Sequence, residues 1–201
     1  MLVIENLQTA LFGPLDIRVA PGECVAVMGP SGAGKSIFLR AIADLDPSRG
    51  EVTLDGQARS AMPAPDWRRK VALVPAESGW WADRVGAHFP PGQPGPELLK
   101  ALGLPTEIME WSVDRLSSGE RHRAALARAL CRQPAVLLLD EPTASLDEAS
   151  TERVEALIRQ QLEAGVPVII VTHEAAQAGR LAARTLWLVD GRFADRPEAA
   201  Q

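Results

Sequence analysis

Gly29-Pro30-Ser31-Gly32-Ala33-Gly34-Lys35-Ser36 is the stretch that decides the fold. It fits the pattern of a glycine, four residues, then Gly-Lys-Ser, which wraps backbone N–H groups around the phosphates of a nucleotide. The flanks are those the chemistry needs. Cys24-Val25-Ala26-Val27-Met28 is a short apolar run suited to a buried parallel strand, and Ile37 to Ala43 has apolar residues at helical spacing. Gly29, Gly32 and Gly34 allow the close wrap, with the helix N-terminus pointing at the anion. Lys35 is placed to meet the β- and γ-phosphates, and the Ser36 hydroxyl to bind Mg²⁺. A ligand-free glycine turn has no use for the Lys-Ser pair. The loop alone does not distinguish nucleotide kinases, GTPases and motor ATPases.

Outward from this loop, the 201 residues fit one compact α/β domain with a small inserted lobe, and 46% apolar composition supplies a core. A net charge of −5 offers no electrostatic footprint for nucleic acid, so no nucleic-acid partner is expected. The longest apolar runs, such as 166–171, are far short of the roughly twenty residues a membrane-spanning helix requires. The N-terminal residues lack the segments of a secretory signal. Cys24 and Cys131 have no paired spacing, which points to a reducing cytoplasm rather than a disulfide framework.

The pattern along the chain predicts strands at 2–5 and 15–19 with a Gly13-Pro14 turn between them. An edge strand is expected at 51–56, a polar loop over 57–69 and a buried strand at 71–74. From 75 to 96, Pro, Gly and Trp replace regular periodicity. Residues of roughly 76–130 are expected to form a mostly helical lobe inserted into an α/β body made of 1–75 and 131–201. Helices are expected at 96–102, 121–132 and 152–163, strands at 135–141 and 166–171, and a final hairpin over 186–193 with an Asp-Gly turn. Strands on both sides of the loop imply an antiparallel sheet beside a mostly parallel one.

Ligands of such sheets sit outside the carboxyl ends of the parallel strands. Three polar features fall there: the phosphate loop after Met28, Asp140-Glu141 after Leu139, and His173 after Val171. Asp140 is a candidate Mg²⁺ ligand opposite Ser36, and Glu141 a general base for an attacking water. His173 is a candidate donor to the γ-phosphate as charge builds on it. A carboxylate pair at a strand end can also cap a helix, and a lone histidine is often structural. The intact phosphate loop in the same chain is what favours the catalytic reading.

With these motifs in hand, essentially the whole chain resembles the ATP-binding subunit of an ABC transporter. Gly29 to Ser36 resembles the Walker A motif and Ala135 to Glu141 resembles Walker B with its catalytic Glu. Leu116-Ser117-Ser118-Gly119-Glu120 resembles the LSGGQ signature, Ser145-Leu146-Asp147 the D-loop, and His173 the switch histidine. A guanylate-kinase-like enzyme also spells its loop this way but has no use for Leu116 to Glu120 before a helix or for the run Asp140 to Asp147. The resemblance implies a P-loop NTPase fold and a head-to-tail ATPase dimer, homomeric or heteromeric. In that dimer Ser117, Ser118 and Gly119 close on the partner's ATP. It also implies Mg²⁺ as cofactor and a separate membrane permease, with the subunit lying on the cytoplasmic face. A non-transport ABC-type ATPase and a weakly active regulatory subunit are the competing readings.

Four positions depart from the family pattern. Ile37 stands where a hydroxyl usually helps hold the α-phosphate, and Ser118 and Glu120 replace Gly and Gln. Because the chain has no Tyr, Phe12 is the candidate for stacking on adenine, with core packing as its alternative. Ala76-Glu77 replaces the Q-loop Gln: either Glu77 takes the role with a one-residue shift, approaching Mg²⁺ when ATP is bound, or coupling through this loop is altered. Of the adjacent Trp80 and Trp81, at least one is expected to be exposed and to dock on the permease.

Overall fold

The computed structural model describes residues 1–194. Two sheets organise it. The N-terminal one is antiparallel, in the order β2-β1-β4-β5, built from β1 (Leu2–Gln8), β2 (Leu15–Val19), β4 (Arg49–Leu54) and the two-residue β5 (Gln57–Ala58). The second has the order β10-β9-β3-β8-β7-β6. It contains β3 (Cys24–Met28), β6 (Val71–Val74), β7 (Val136–Asp140), β8 (Val168–Val171), β9 (Arg184–Val189) and β10 (Arg192–Ala194). Its pairings are parallel except for the terminal β9–β10 hairpin. This is the α/β P-loop arrangement that the motifs imply.

Every residue of β3, β7 and β8 is buried, because helices or the second sheet cover both faces. The alternation in β2, with Leu15, Ile17 and Val19 inward and Asp16 and Arg18 outward, is that of a half-buried antiparallel strand. Side chains from the two faces of the parallel sheet belong to two clusters. Val25, Val27, Leu138 and Ile169 pack with helix α1 (Lys35–Ile42) and the antiparallel sheet. Ala26, Leu137, Leu139 and Ile170 pack with residues between β6 and β7. That segment carries α3 (Gly95–Ala101) and α4 (Ser118–Leu130). Helices α5 (Glu148–Glu163) and α6 (Ala175–Leu181) follow β7 and β8.

Two expectations needed correction. β4 is not an edge strand, since β5 pairs with its end through Thr53 and Leu54. Within the expected loop at 57–69 lies α2 (Ala64–Lys70). Pro63 as N-cap and Pro65 inside the first turn start this helix rather than break it. Its anchor is Trp67, fully buried, whose Nε1 donates to the Ile42 carbonyl at the end of α1 over 2.9 Å. Helix α6 was also absent from the pattern reading, because a seven-residue run with few large apolar side chains has little periodicity.

Trp67→Phe keeps most of the ring and removes the donor to a buried helix-end carbonyl. The unfolding free energy in a urea titration is expected to fall by about 1–3 kcal/mol. An unchanged midpoint would show that the Trp67–Ile42 bond contributes nothing.

Candidate nucleotide site

The strand order places the chemistry. β8 lies between β3 and β7, and neighbouring strands are about 4.8 Å apart. The carboxyl end of β8 therefore opens between the phosphate loop on one side and Asp140-Glu141 on the other. A cleft of about 410 Å³ forms there, with Lys35, Ser36, Asp140, Glu141 and His173 on its walls. Ser31, Gly32, Gly34 and Ile37 line it from the loop side.

The loop's shape requires its glycines. Gly29 has φ +148°, and a Cβ there would stand 2.2 Å from the Leu188 carbonyl oxygen of β9. Gly34, at φ +95°, is the residue from which α1 starts. Pro30 and Ala33 complete the turn, joined by a hydrogen bond from the Ala33 N–H to the Pro30 carbonyl. Lys35 is buried and donates to the carbonyls of Gly29 at 2.8 Å and Pro30 at 2.9 Å. Burial pulls its pKa down, and the charges of Glu141 and Asp140 oppose that shift. Lys35 is thus held over the loop with its charge balanced from across the cleft.

Glu141 follows β7 with a left-handed backbone, φ +50°, and its N–H donates to the Val171 carbonyl of β8 over 2.9 Å. A non-glycine residue in this region is strained, and such strain is typical of functional turns. His173 Nε2 lies 3.3 Å from Glu141 Oε1. Burial raises the Glu141 carboxyl above the usual range, while His173 acts in the opposite sense. A carboxylate so placed is a stronger base than an exposed one.

Asp140, buried, and Ser36, exposed, present oxygen donors on the two sides of the cleft. Among the described residues no group of three or more His, Cys, Asp and Glu side chains could form a protein-only metal cage. One carboxylate and one hydroxyl fit the sparse ligation of Mg²⁺, which takes its other ligands from substrate phosphates and water.

The predicted site residues are not all brought together. Phe12 is only 4% exposed and packs edge-on against Phe38, with ring centroids 5.8 Å apart. Its ring is part of the core and does not serve as a stacking surface. The reading overlooked its neighbour Leu11, which is 56% exposed and lines the cleft. An apolar residue beside the only aromatic at the tip of the hairpin was the available signal. At the loop after β6, Ala76 lines the cleft, whereas Glu77 lines an adjoining one with Ser78, Ser118, Arg121 and His122. Glu77 therefore does not join Ser36 and Asp140 here.

Ser117, Ser118 and Gly119 do not line the nucleotide cleft; they start α4. The Ser117 hydroxyl accepts from the Glu120 N–H at 3.2 Å, and Glu120 Oε2 accepts from the Ser117 N–H at 2.9 Å and from its hydroxyl at 2.8 Å. This is a complete capping box. The Ser117 bonds hold the Glu120 carboxyl below its ordinary pKa, so a charge sits at the helix N-terminus. A Cβ on Gly119 would come within 3.0 Å of Leu146, so the turn packs tightly on residues 145–147.

Comparison with known proteins agrees with this geometry. The family model described as ABC transporter matches residues 12–144. The Fe(3+) ions import ATP-binding protein FbpC of Streptomyces coelicolor is 40% identical over 92% of this chain, which spans only 57% of that protein's length. The aliphatic sulfonates import ATP-binding protein SsuB 2 of Paracoccus denitrificans is 38% identical over 96% of this chain and 79% of its own length. A solved dimeric ATP-binding cassette in a post-hydrolysis state, bound to ADP and Pi, superposes with a TM-score of 0.77 at 26% identity. That match takes in 98% of this chain and 97% of the other.

Phe12 and Leu11 should separate cleanly by substitution. Phe12→Ala is expected to cost about 3–5 kcal/mol of stability. Leu11→Ala should leave the urea midpoint within about 0.5 kcal/mol while weakening nucleotide binding in a fluorescent-nucleotide titration. Glu77→Ala should leave the Mg²⁺ dependence of ATP hydrolysis unchanged; a displaced Mg²⁺ optimum would return Glu77 to the metal.

Proposed function

The chain belongs to the ABC transporter family, and on that premise we propose that it is a transporter's ATP-binding subunit, hydrolysing MgATP to drive a separate membrane permease. The observation that carries the proposal is the convergence of Lys35, Asp140, Glu141 and His173 on one cleft beneath a phosphate-wrapping loop. Loop N–H groups and Lys35 hold the β- and γ-phosphates. Ser36 and Asp140 would hold Mg²⁺, which when bound would supply charge neutralisation. Glu141 accepts a proton from the water whose oxygen attacks the γ-phosphorus as the bond to the ADP oxygen breaks. His173 donates to the γ-phosphate oxygens and fixes the Glu141 carboxylate.

Separation of the signature turn from this cleft supports a composite site. Two copies arranged head to tail would each present Ser117–Gly119 to the other's γ-phosphate, at the N-terminus of a helix of 13 residues. No helix among the described residues is long and apolar enough to cross a membrane, which fits a subunit bound to the cytoplasmic face through its permease. Trp81 is 69% exposed, with His88 against its ring at 4.3 Å and Arg128 above it at 5.0 Å. A rigid, exposed aromatic of this kind is the surface we assign to the permease. Trp80 is half-buried and packs inward.

Ile37 and Ala76 favour a second reading within the same family, a subunit of low turnover. Both line the cleft at positions where polar contacts are expected, and neither side chain supplies one.

Measuring ATP hydrolysis decides between them. Wild type should turn over on the ordinary enzyme scale of about 1–1000 s⁻¹, and Glu141→Gln should lose at least about 100-fold in kcat while still binding ATP. Turnover near zero in wild type, with binding retained, would favour the regulatory reading. Glu120→Gln should retain the capping box and remove its charge. The protein concentration at half-maximal activity is then expected to fall several-fold, on the order of 1 kcal/mol of relieved repulsion. No change would mean that the Glu120 charge does not oppose dimer closure.

A further inference from the structure

We propose that Gln177 is a positioning residue for the phosphate site, holding His173 against Glu141 by clamping α6 to the turn that carries Glu141. The inference rests on the assignment of His173 and Glu141 to the γ-phosphate. Gln177 lies four residues beyond His173, in the first turn of α6, and is completely buried. Its Nε2 donates to Thr143 Oγ1 over 2.5 Å. Thr143 is itself buried in the turn that begins at Glu141. The Ala144 N–H donates to the Glu141 carbonyl, and the Leu146 N–H to the Thr143 carbonyl.

The rest of α6 explains why this clamp matters. The helix has seven residues and no side-chain cap at its N-terminus, too short to hold its place by intrinsic stability. Beside its few apolar contacts it has two polar ties three residues apart, one buried and one part-buried. Gln177 holds Thr143, and Arg180 pairs with the buried carboxylate of Glu155 on α5 at 2.6 Å. His173 precedes α6 and is more than half exposed, so packing does not fix it. Among the described residues its side chain has one partner, Glu141. The position of the imidazole therefore depends on where the backbone of residues 172–177 is anchored.

One detail marks the bond as more than filling. The Gln177 Oε1 is buried and has no hydrogen-bond partner. An unpaired buried carbonyl is destabilising, and an apolar side chain of similar shape would avoid it. An apolar side chain of that shape could not make the bond to Thr143. Gln177 touches no substrate; it acts through the first turn of α6 on a residue that does.

The test uses the full chain and reads His173 directly. The sequence has three histidines, His88, His122 and His173, so the imidazole resonances can be assigned with three substitutions. Gln177→Ala and Thr143→Val should move the His173 resonances toward those of Glu141→Gln and leave His88 unmoved. In hydrolysis assays both should lower kcat about 10- to 100-fold with KM for ATP held within about twofold. Thr143→Ser should restore both readouts. Loss of kcat from Gln177→Ala should largely vanish in a His173→Ala background, as expected of residues that act as a unit. His173 resonances like wild type, or kcat losses that simply add, would overturn the proposal. Thr143→Val carries the test if Gln177→Ala melts below the assay temperature. If wild type hydrolyses no ATP, the functional reading fails while the resonances still decide the clamp.

Discussion

A buried cation and two carboxylates face each other across the ends of three parallel strands, and the rest of the molecule serves that balance. Lys35 is removed from water, so its charge must be met by the Gly29 and Pro30 carbonyls and by the field of Asp140 and Glu141. The sheet order fixes these partners on opposite sides of β8. Phosphates entering the cleft bring negative charge to a lysine already desolvated and aimed at the loop, so the cation need not be buried anew. Backbone that cannot relax holds the frame: a glycine pressed on β9 at one wall, a left-handed Glu141 at the other.

The second anion site has a different character. At the start of α4 the Ser117 N–H and hydroxyl are already engaged by the chain's own carboxylate. A phosphate arriving there must compete with Glu120 for the same donors and against its charge. The nucleotide cleft is thus pre-organised, while the signature turn is self-capped, so in the proposed dimer closure is the step at which charge would be opposed. Leu146 packed on Gly119 and the Gln177–Thr143 bond both end in residues 143–147. The signature turn and the helix after His173 therefore bear on the same short turn.

Much of this was legible in the sequence, for reasons that can be named. Continuous apolar runs ending in a phosphate loop, a carboxylate pair and a histidine have few solutions other than adjacent parallel strands. Residues whose place depends on backbone position, Lys35, Glu141 and His173, accordingly line one cleft. Side chains whose role depends on which way a loop turns were not legible. Phe12 and Leu11 are neighbours in sequence, and only the fold decides that the aromatic goes into the core and the aliphatic faces the cleft. Glu77 lines the adjoining cleft with Ser118 and His122, whereas Ala76, one residue earlier, lines both. Helix α2 hid behind two prolines that read as breakers from the pattern and act as starters in the structure. Gln177 carried no motif at all; its significance lies in burial and a single partner 34 residues away.

The central claim is that the cleft is half of a site completed by Ser117–Gly119 of a second copy. Sedimentation of Glu141→Gln with and without MgATP tests it most directly, alongside the Ser117→Arg form of the same variant. The account expects twice the monomer mass with MgATP alone, and a monomer that still binds ATP once Ser117 is replaced. A species that stays monomeric with ATP bound, or a dimer indifferent to Ser117→Arg, would contradict it.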